Sequence, residues 1–149
     1  MVTIYTYTMP RDGWDELNPD KQAIRTLIKK LKQYYEGQHK ILGEKRKTKL
    51  VCNHAKDISD TASSYFIGNP VSYKSQQDIK PLMDAFEVAG ADEADGDNGL
   101  DLSIYGRCYE YVYPEEGGTD LTIKTLETEN TFVVYDDTIE QRELFAVYY

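Results

Sequence analysis

Apolar and polar positions alternate through Val2-Thr3-Ile4-Tyr5-Thr6-Tyr7-Thr8, as they do in a half-buried or edge strand, and Met9-Pro10-Arg11-Asp12-Gly13 breaks the run. Residues 1–17 therefore read as an N-terminal arm. Asn18-Pro19 then gives a helix start, since Asn can cap orphan amides and Pro at the first helical position loses nothing by lacking an N–H. Ile24, Leu27, Ile28, Leu31, Tyr34 and Tyr35 recur at three- and four-residue spacing and predict one apolar face, with Lys21, Arg25, Lys29 and Lys32 largely solvated and the end at Gly37. Residues 38–49 are a polar, basic link.

A second helix is predicted over 51–67, with Val51, Ala55, Ile58, Ala62, Tyr65 and Phe66 on its inner face and Gly68-Asn69-Pro70 as its stop. Val71-Ser72-Tyr73-Lys74 reads as a short strand. Ile79, Leu82, Met83 and Phe86 give a third helical face that ends near Gly90, with Pro81 tolerable only in its first turn. Residues 91–105 are acidic, yet Ala94, Leu102 and Tyr105 line one side of a further helix closing at Gly106; Gly96 and Gly99 weaken its front half.

Beyond Gly106 the period changes to two. Cys108, Glu110 and Val112 alternate with Tyr109, Tyr111 and Tyr113, and Pro114-Glu115-Glu116-Gly117-Gly118 supplies the turn of a hairpin that returns over 121–126. Thr131-Phe132-Val133-Val134-Tyr135, an Asp136-Asp137-Thr138 turn and Leu144-Phe145-Ala146-Val147-Tyr148-Tyr149 complete the pattern. The fold class is α+β: N-terminal helices followed by a mainly antiparallel sheet. A chain that stops inside an apolar strand reads as a fragment of a longer one.

Composition adds little to this until charge is considered. The 149 residues are 40% hydrophobic and 29% charged with 5 Pro and 10 Gly, which suits an ordinary globular chain. No apolar run reaches the ~18–20 residues of a membrane span, and the N-terminus has no leader pattern. Cys52 and Cys108 lie far apart without a CxxC pattern, which argues against a disulfide framework or zinc site, suits a reducing cytoplasm and leaves packing as their expected role. The net charge of −9 hides an asymmetry: residues 1–50 hold 11 basic and 6 acidic side chains, and the remainder 6 and 20. Any grip on a nucleic-acid backbone must come from the first third, where Lys45-Arg46-Lys47-Thr48-Lys49 is the dense basic run; a solvated loop or an acidic partner explains that run equally well. The 13 tyrosines suit either sheet pairing or wet, partner-covered surfaces.

Catalytic chemistry finds little purchase. His39 and His54 are the only histidines, and Cys52 and His54, two positions apart, would sit on opposite sides of a helix. Counted as a calcium loop from Asp95, Gly99 falls where a ligand is needed, Leu100 at the turn glycine and Gly106 at the bidentate glutamate. A metal-dependent nuclease needs an acid on one strand and acid-x-Lys on the next; the hairpin offers Thr122-Ile123-Lys124, and nothing ties Asp57, Asp60, Asp136 and Asp137 together. No phosphate loop or dinucleotide fingerprint is present. No catalytic, cofactor-binding or metal-ligating residue is assigned.

Several segments in succession carry a family resemblance: Tyr34-Tyr35-Glu36-Gly37-Gln38-His39, Asn53-His54-Ala55-Lys56-Asp57-Ile58-Ser59-Asp60-Thr61, Ser64-Tyr65-Phe66-Ile67-Gly68-Asn69-Pro70-Val71, Asp101-Leu102-Ser103-Ile104-Tyr105-Gly106-Arg107-Cys108-Tyr109-Glu110 and Val134-Tyr135-Asp136-Asp137-Thr138. Together they resemble tailed-phage portal proteins of the Bacillus siphophage type, from the first helix to Tyr149. The resemblance implies a head–tail connector subunit without catalysis: a ring, usually of twelve copies, through which double-stranded DNA is packaged and ejected without sequence-specific binding. It also implies nucleation of capsid assembly and docking of the terminase, which carries the ATPase. Implied partners are other portal subunits, capsid and scaffolding proteins, and terminase and head-completion proteins through parts missing here. The implied place is the portal vertex of the virion, reached from the host bacterial cytoplasm, with no membrane and no cofactor. Residues 18–149 resemble the wing, while stem, clip and crown are missing. Within that frame Phe66 and Tyr105 are expected in the core, and 65–70 and 103–106 as two copies of one helix-ending device. Two other readings compete: a free-standing acidic adaptor domain and a metal-dependent nuclease-like enzyme.

Overall fold

The computed structural model describes residues 4–6, 19–45, 47–114, 117, 118 and 120–149. Helix α1 spans Pro19–Tyr35, starting on the expected proline; its cap residue Asn18 and most of the N-terminal alternation lie outside the described residues. Only Ile28 of its apolar face is buried, with Leu31 and Tyr35 half-buried and Ile24, Leu27 and Tyr34 exposed. The described residues of the basic link include a 3-10 turn, Lys40–Gly43, and the Lys49 ammonium donates to the Leu42 carbonyl.

Helix α2 covers His54–Ile67, three residues later than predicted at its start, because Asn53 caps it. The Asn53 side-chain oxygen accepts from the Lys56 N–H at 3.3 Å, while its amide donates to the Tyr35 carbonyl at 2.8 Å, so one side chain starts α2 and ends α1. Cys52 consequently precedes the helix and is exposed, which removes both its expected packing role and the helical geometry assumed for it beside His54.

Residues 71–74 form no strand. Their β-propensity finds no neighbouring edge; instead Tyr73 packs its ring 5.5 Å from that of Phe86 on α3, Lys80–Ala89. Pro81 stands in the first turn of α3, and Gly90 ends it in the left-handed region at φ 69°, its N–H returning to the carbonyls of Phe86 and Glu87. Helix α4 follows at once, Ala91–Tyr105, and runs unbroken through Gly96 and Gly99 to a second left-handed cap at Gly106, φ 70°. The two expected helix ends are therefore different devices. Gly68 after α2 keeps a right-handed φ of −66°, and it is glycine because a Cβ there would lie 2.2 Å from the Ser64 carbonyl oxygen.

Helices α2 and α4 pack antiparallel: the Ser103 hydroxyl donates to the Ser59 carbonyl at 3.4 Å, and further along Ile67 and Ser63 meet Gly99. The packed face of α2 is therefore the row of Ala55, Ser59, Ser63 and Ile67, one step every turn, which shares only Ala55 with the predicted apolar face. Small residues let the axes approach closely. Ile58, Tyr65 and Phe66 point away and stay 69%, 94% and 71% exposed, so Phe66 is not a core residue.

Among the described residues five strands make two small sheets. Strands β2 (Tyr109–Pro114) and β3 (Leu121–Leu126) form the expected antiparallel hairpin, packed on α3 and α4. Strands β4 (Thr131–Tyr135) and β5 (Glu143–Tyr148) pair antiparallel, and β1 (Ile4–Thr6) adds to the other edge of β5 in parallel, giving the order β1-β5-β4. The central strand β5 is covered on both faces, since neighbouring residues Ala146 and Val147 are both buried. The β4–β5 connection runs longer than the predicted three-residue turn: the Asp136 carboxylate accepts from Thr138 N–H, Thr138 hydroxyl and Arg142 N–H, and holds a loop that closes only at Arg142. Among the described residues the buried hydrophobics are Ile28, Ala94, Ala146 and Val147.

The two glycines of α4 separate packing from propensity. A Cβ at Gly99 would stand 2.4 Å from the Ile67 side chain, whereas one at Gly96 meets nothing within 4 Å. Gly99→Leu should destabilise by about 1–3 kcal/mol through overpacking, and Gly96→Ala should stabilise by about 0.5–1 kcal/mol through helix propensity. Urea unfolding of the two variants checks both signs; equal effects would refute the close approach.

Candidate functional site

Two half-buried polar clusters and one exposed apolar face stand out. At the α1–α2 corner the Tyr35 hydroxyl donates to Asp60 at 2.8 Å and accepts from the Lys56 ammonium at 2.9 Å, while Lys56 and Asp60 pair at 2.9 Å one helical turn apart. The bond it donates to Tyr35, then that to Asp60, raises the Lys56 ammonium above its ordinary value, and Lys56 followed by Tyr35 holds Asp60 below the usual carboxylate range. Each group of this trio fills the needs of the other two. The trio joins α1 to α2 and acts as a lock between these helices.

The second cluster holds the strands to the helices. Thr128, 2% exposed, begins a 3-10 turn, Thr128–Asn130, between β3 and β4 and donates its hydroxyl to Asp101 of α4 at 2.9 Å. In the same turn Glu129 lies 3.6 and 3.7 Å from the ammoniums of Lys29 and Lys32 on α1, and the Asn130 carbonyl accepts from Tyr149 N–H. Burial pushes the Asp101 carboxyl up, the Thr128 bond pulls it back, and the neighbouring Asp97 adds to the rise. Burial, then the charges of Asp101 and Glu129, pushes the Tyr105 phenol up to about 12.

The carboxylates weighed for metal chemistry are not brought together. Asp60 is engaged with Lys56 and Tyr35, Asp136 organises its own loop, and Asp57 and Asp137 are exposed. Among the described residues no group of three or more His, Cys, Asp or Glu could hold a metal ion. The acidic run over 92–101 lies within continuous helix and offers no loop to wrap a cation. Cys108 is half-buried, and burial pushes its thiol up, away from nucleophilic use.

What remains is surface. Ile58, Ala62, Tyr65 and Phe66 form an outward apolar stripe along α2, larger in character than the scattered single hydrophobics of ordinary surfaces. A cavity of about 240 Å³ opens between α1 and β4, lined by Ile24, Ile28, Phe132 and Tyr149. Contiguous exposed apolar surface of this kind marks an interaction face.

The family model described as phage portal protein, SPP1 Gp6-like, matches residues 15–149. The chain belongs to the phage portal proteins. The family is structural and not enzymatic, and its members assemble as an oligomeric ring associated with the viral capsid. No individual curated protein matches this portal chain. Among its described residues no helix is long and apolar enough to cross a membrane.

Sequence reasoning passed over four things that matter here. Asn53 carried a readable signal, an Asn ahead of a helical run, but Thr128 and the Tyr35–Lys56–Asp60 lock carried none, because each depends on segments distant in the chain. The outward direction of the α2 stripe was also invisible, since periodicity defines a face without saying what it meets.

The second cluster gives two expectations. Thr128→Val should cost about 1–3 kcal/mol at pH 7 by leaving the half-buried Asp101 carboxylate short of a donor. The cost should shrink in acid, where protonated Asp101 needs no donor; an equal cost at both pH values would refute the role. A phenol held above its ordinary value stabilises the fold fully below pH ~10 and loses that contribution as pH rises towards ~12. Tyr105→Phe should therefore flatten the stability curve between those limits, read by denaturant midpoints alongside the 295 nm phenolate absorbance.

Proposed function

We propose that this portal chain is the wing-type segment of a head–tail connector, with residues 18–149 forming the wing and residues 1–17 an arm before it. In this reading the ring, of about twelve copies in the virion, surrounds a channel through which double-stranded DNA is packaged and later ejected. The ring also nucleates capsid assembly in the host cytoplasm and receives the terminase through parts of a portal subunit beyond this segment. The family match over residues 15–149 carries the reading. Two physical features support it. Large apolar side chains on α2 are left outward in the isolated chain, as expected of a subunit completed by its neighbours. The net charge of −9 opposes tight binding to the DNA backbone, and a wall past which DNA slides must not hold it.

The protein acts here by geometry, with no intrinsic enzyme activity. Ordered helices set the spacing of surfaces, and the chemistry of packaging belongs to the motor that docks on the ring.

Expression of the complete reading frame containing this segment, imaged by negative-stain electron microscopy, should show rings with a central channel. Small discrete particles would sink the ring mechanism and favour the adaptor reading. Incubation of the same preparation with linear DNA and magnesium or manganese should leave the DNA intact; cleavage abolished by Asp57→Asn would favour the nuclease reading instead.

A further inference from the structure

Closure of a ring requires two different surfaces on each subunit, one for each neighbour, because head-to-tail contacts are not self-complementary. The charge of this chain is distributed in that manner. Residues 38–50 contain five basic residues and one acidic residue, and residues 78–97 contain seven acidic residues and one basic residue. Antiparallel packing puts the two segments at opposite ends of the α2–α4 pair. The basic segment leads into the start of α2, where Ser59 lies beside Ser103 near the end of α4; the acidic segment includes the start of α4, beyond the point where Ile67 meets Gly99. The 15 residues of α4 separate the two ends by about 22 Å.

Each pole also exposes apolar side chains among its charges. At the basic pole Leu42 and Leu50 are exposed beside Lys45 and Lys47, and at the acidic pole Leu82 and Val88 are exposed beside Glu87, with Asp92, Glu93 and Asp97 exposed on the adjoining turns of α4. An apolar centre with a charged rim is the make-up of a protein interface. We infer that the basic pole over residues 38–50 of one copy docks on the acidic pole over residues 78–97 of the next. The occupant of each pole is a second copy of this chain. The inference rests on the ring reading and adds to it which surfaces meet and what sets their register: opposite charges steer the encounter and disfavour like-pole contact.

The test uses the full-length chain, with assembly followed by mass photometry against protein concentration and folding checked by circular dichroism. K45E/K47E and E87K/D97K should each raise the concentration needed for assembly about tenfold or more. Because these changes take the basic pole from a net +4 to 0 and the acidic pole from −6 to −2, the variant carrying all four should assemble no better than either double variant. Wild-type assembly should also weaken steeply between about 0.05 and 0.5 M salt, a measurement that needs no variant to fold. Assembly unaffected by either reversal, or indifferent to salt, would overturn the pole-to-pole contact while leaving the ring intact. Wild type that forms no oligomer at all would instead remove the ring reading, and this inference with it.

Discussion

The hydrogen bond from Thr128 to Asp101 is the joint on which the two halves of the molecule depend. Helices α1, α2 and α4 form one body and β4–β5 another, and the turn at Thr128–Asn130 is where they are fastened. A carboxylate taken partly out of water costs free energy unless a donor replaces the lost solvent. Thr128 supplies that donor and is itself only 2% exposed. The lysines of α1 then reach the adjacent Glu129, so one three-residue turn is held from two helices at once. The exposed ion pairs contribute little individually; the buried hydroxyl–carboxylate contact sets where the strands sit.

Around that joint few hydrophobic side chains are fully buried among the described residues. Ile28, Ala94, Ala146 and Val147 are modest side chains, and burying even a full Leu-sized group yields only ~1.5–3 kcal/mol. Apolar groups as large or larger, Tyr65, Phe66, Ile58 and Leu50, remain exposed. Polar locks such as Tyr35–Lys56–Asp60 define geometry without supplying much net stability. The chain thus has specific internal registration and a surplus of apolar surface, the combination expected of a component whose stability is completed on assembly.

Much of the fold was legible because its signals are local. Pro19, Pro81, Gly90 and Gly106 mark helix ends through backbone constraints that no tertiary contact overrides, and the change of period after Gly106 locates the hairpin. The face of α2 was misread for a physical reason. Amphipathic reasoning assumes that the apolar stripe of a helix meets the core of the same chain, yet α2 meets α4 through Ala55, Ser59 and Ser63 because Gly99 permits close approach. Strand propensity at 71–74 failed likewise: Val71 and Tyr73 had no edge to join, and the Tyr73 ring found Phe86 instead. At the candidate surfaces, sequence supplied the charge asymmetry but not its arrangement in space.

That arrangement follows from the packing of α2 on α4. Close antiparallel contact through small residues uses up the polar side of α2 and leaves its aromatic side for another partner. It also carries the basic link to one end of the pair and the acidic α3–α4 junction to the other. Had α2 packed through Phe66 and Tyr65, the helix axes would stand further apart and Gly99 would have no steric role. The small-residue contact is therefore the constraint that turns an uneven charge distribution in the sequence into two poles on the surface. A subunit with two unlike poles can repeat head to tail, whereas one with its charges mixed would have no preferred direction of growth.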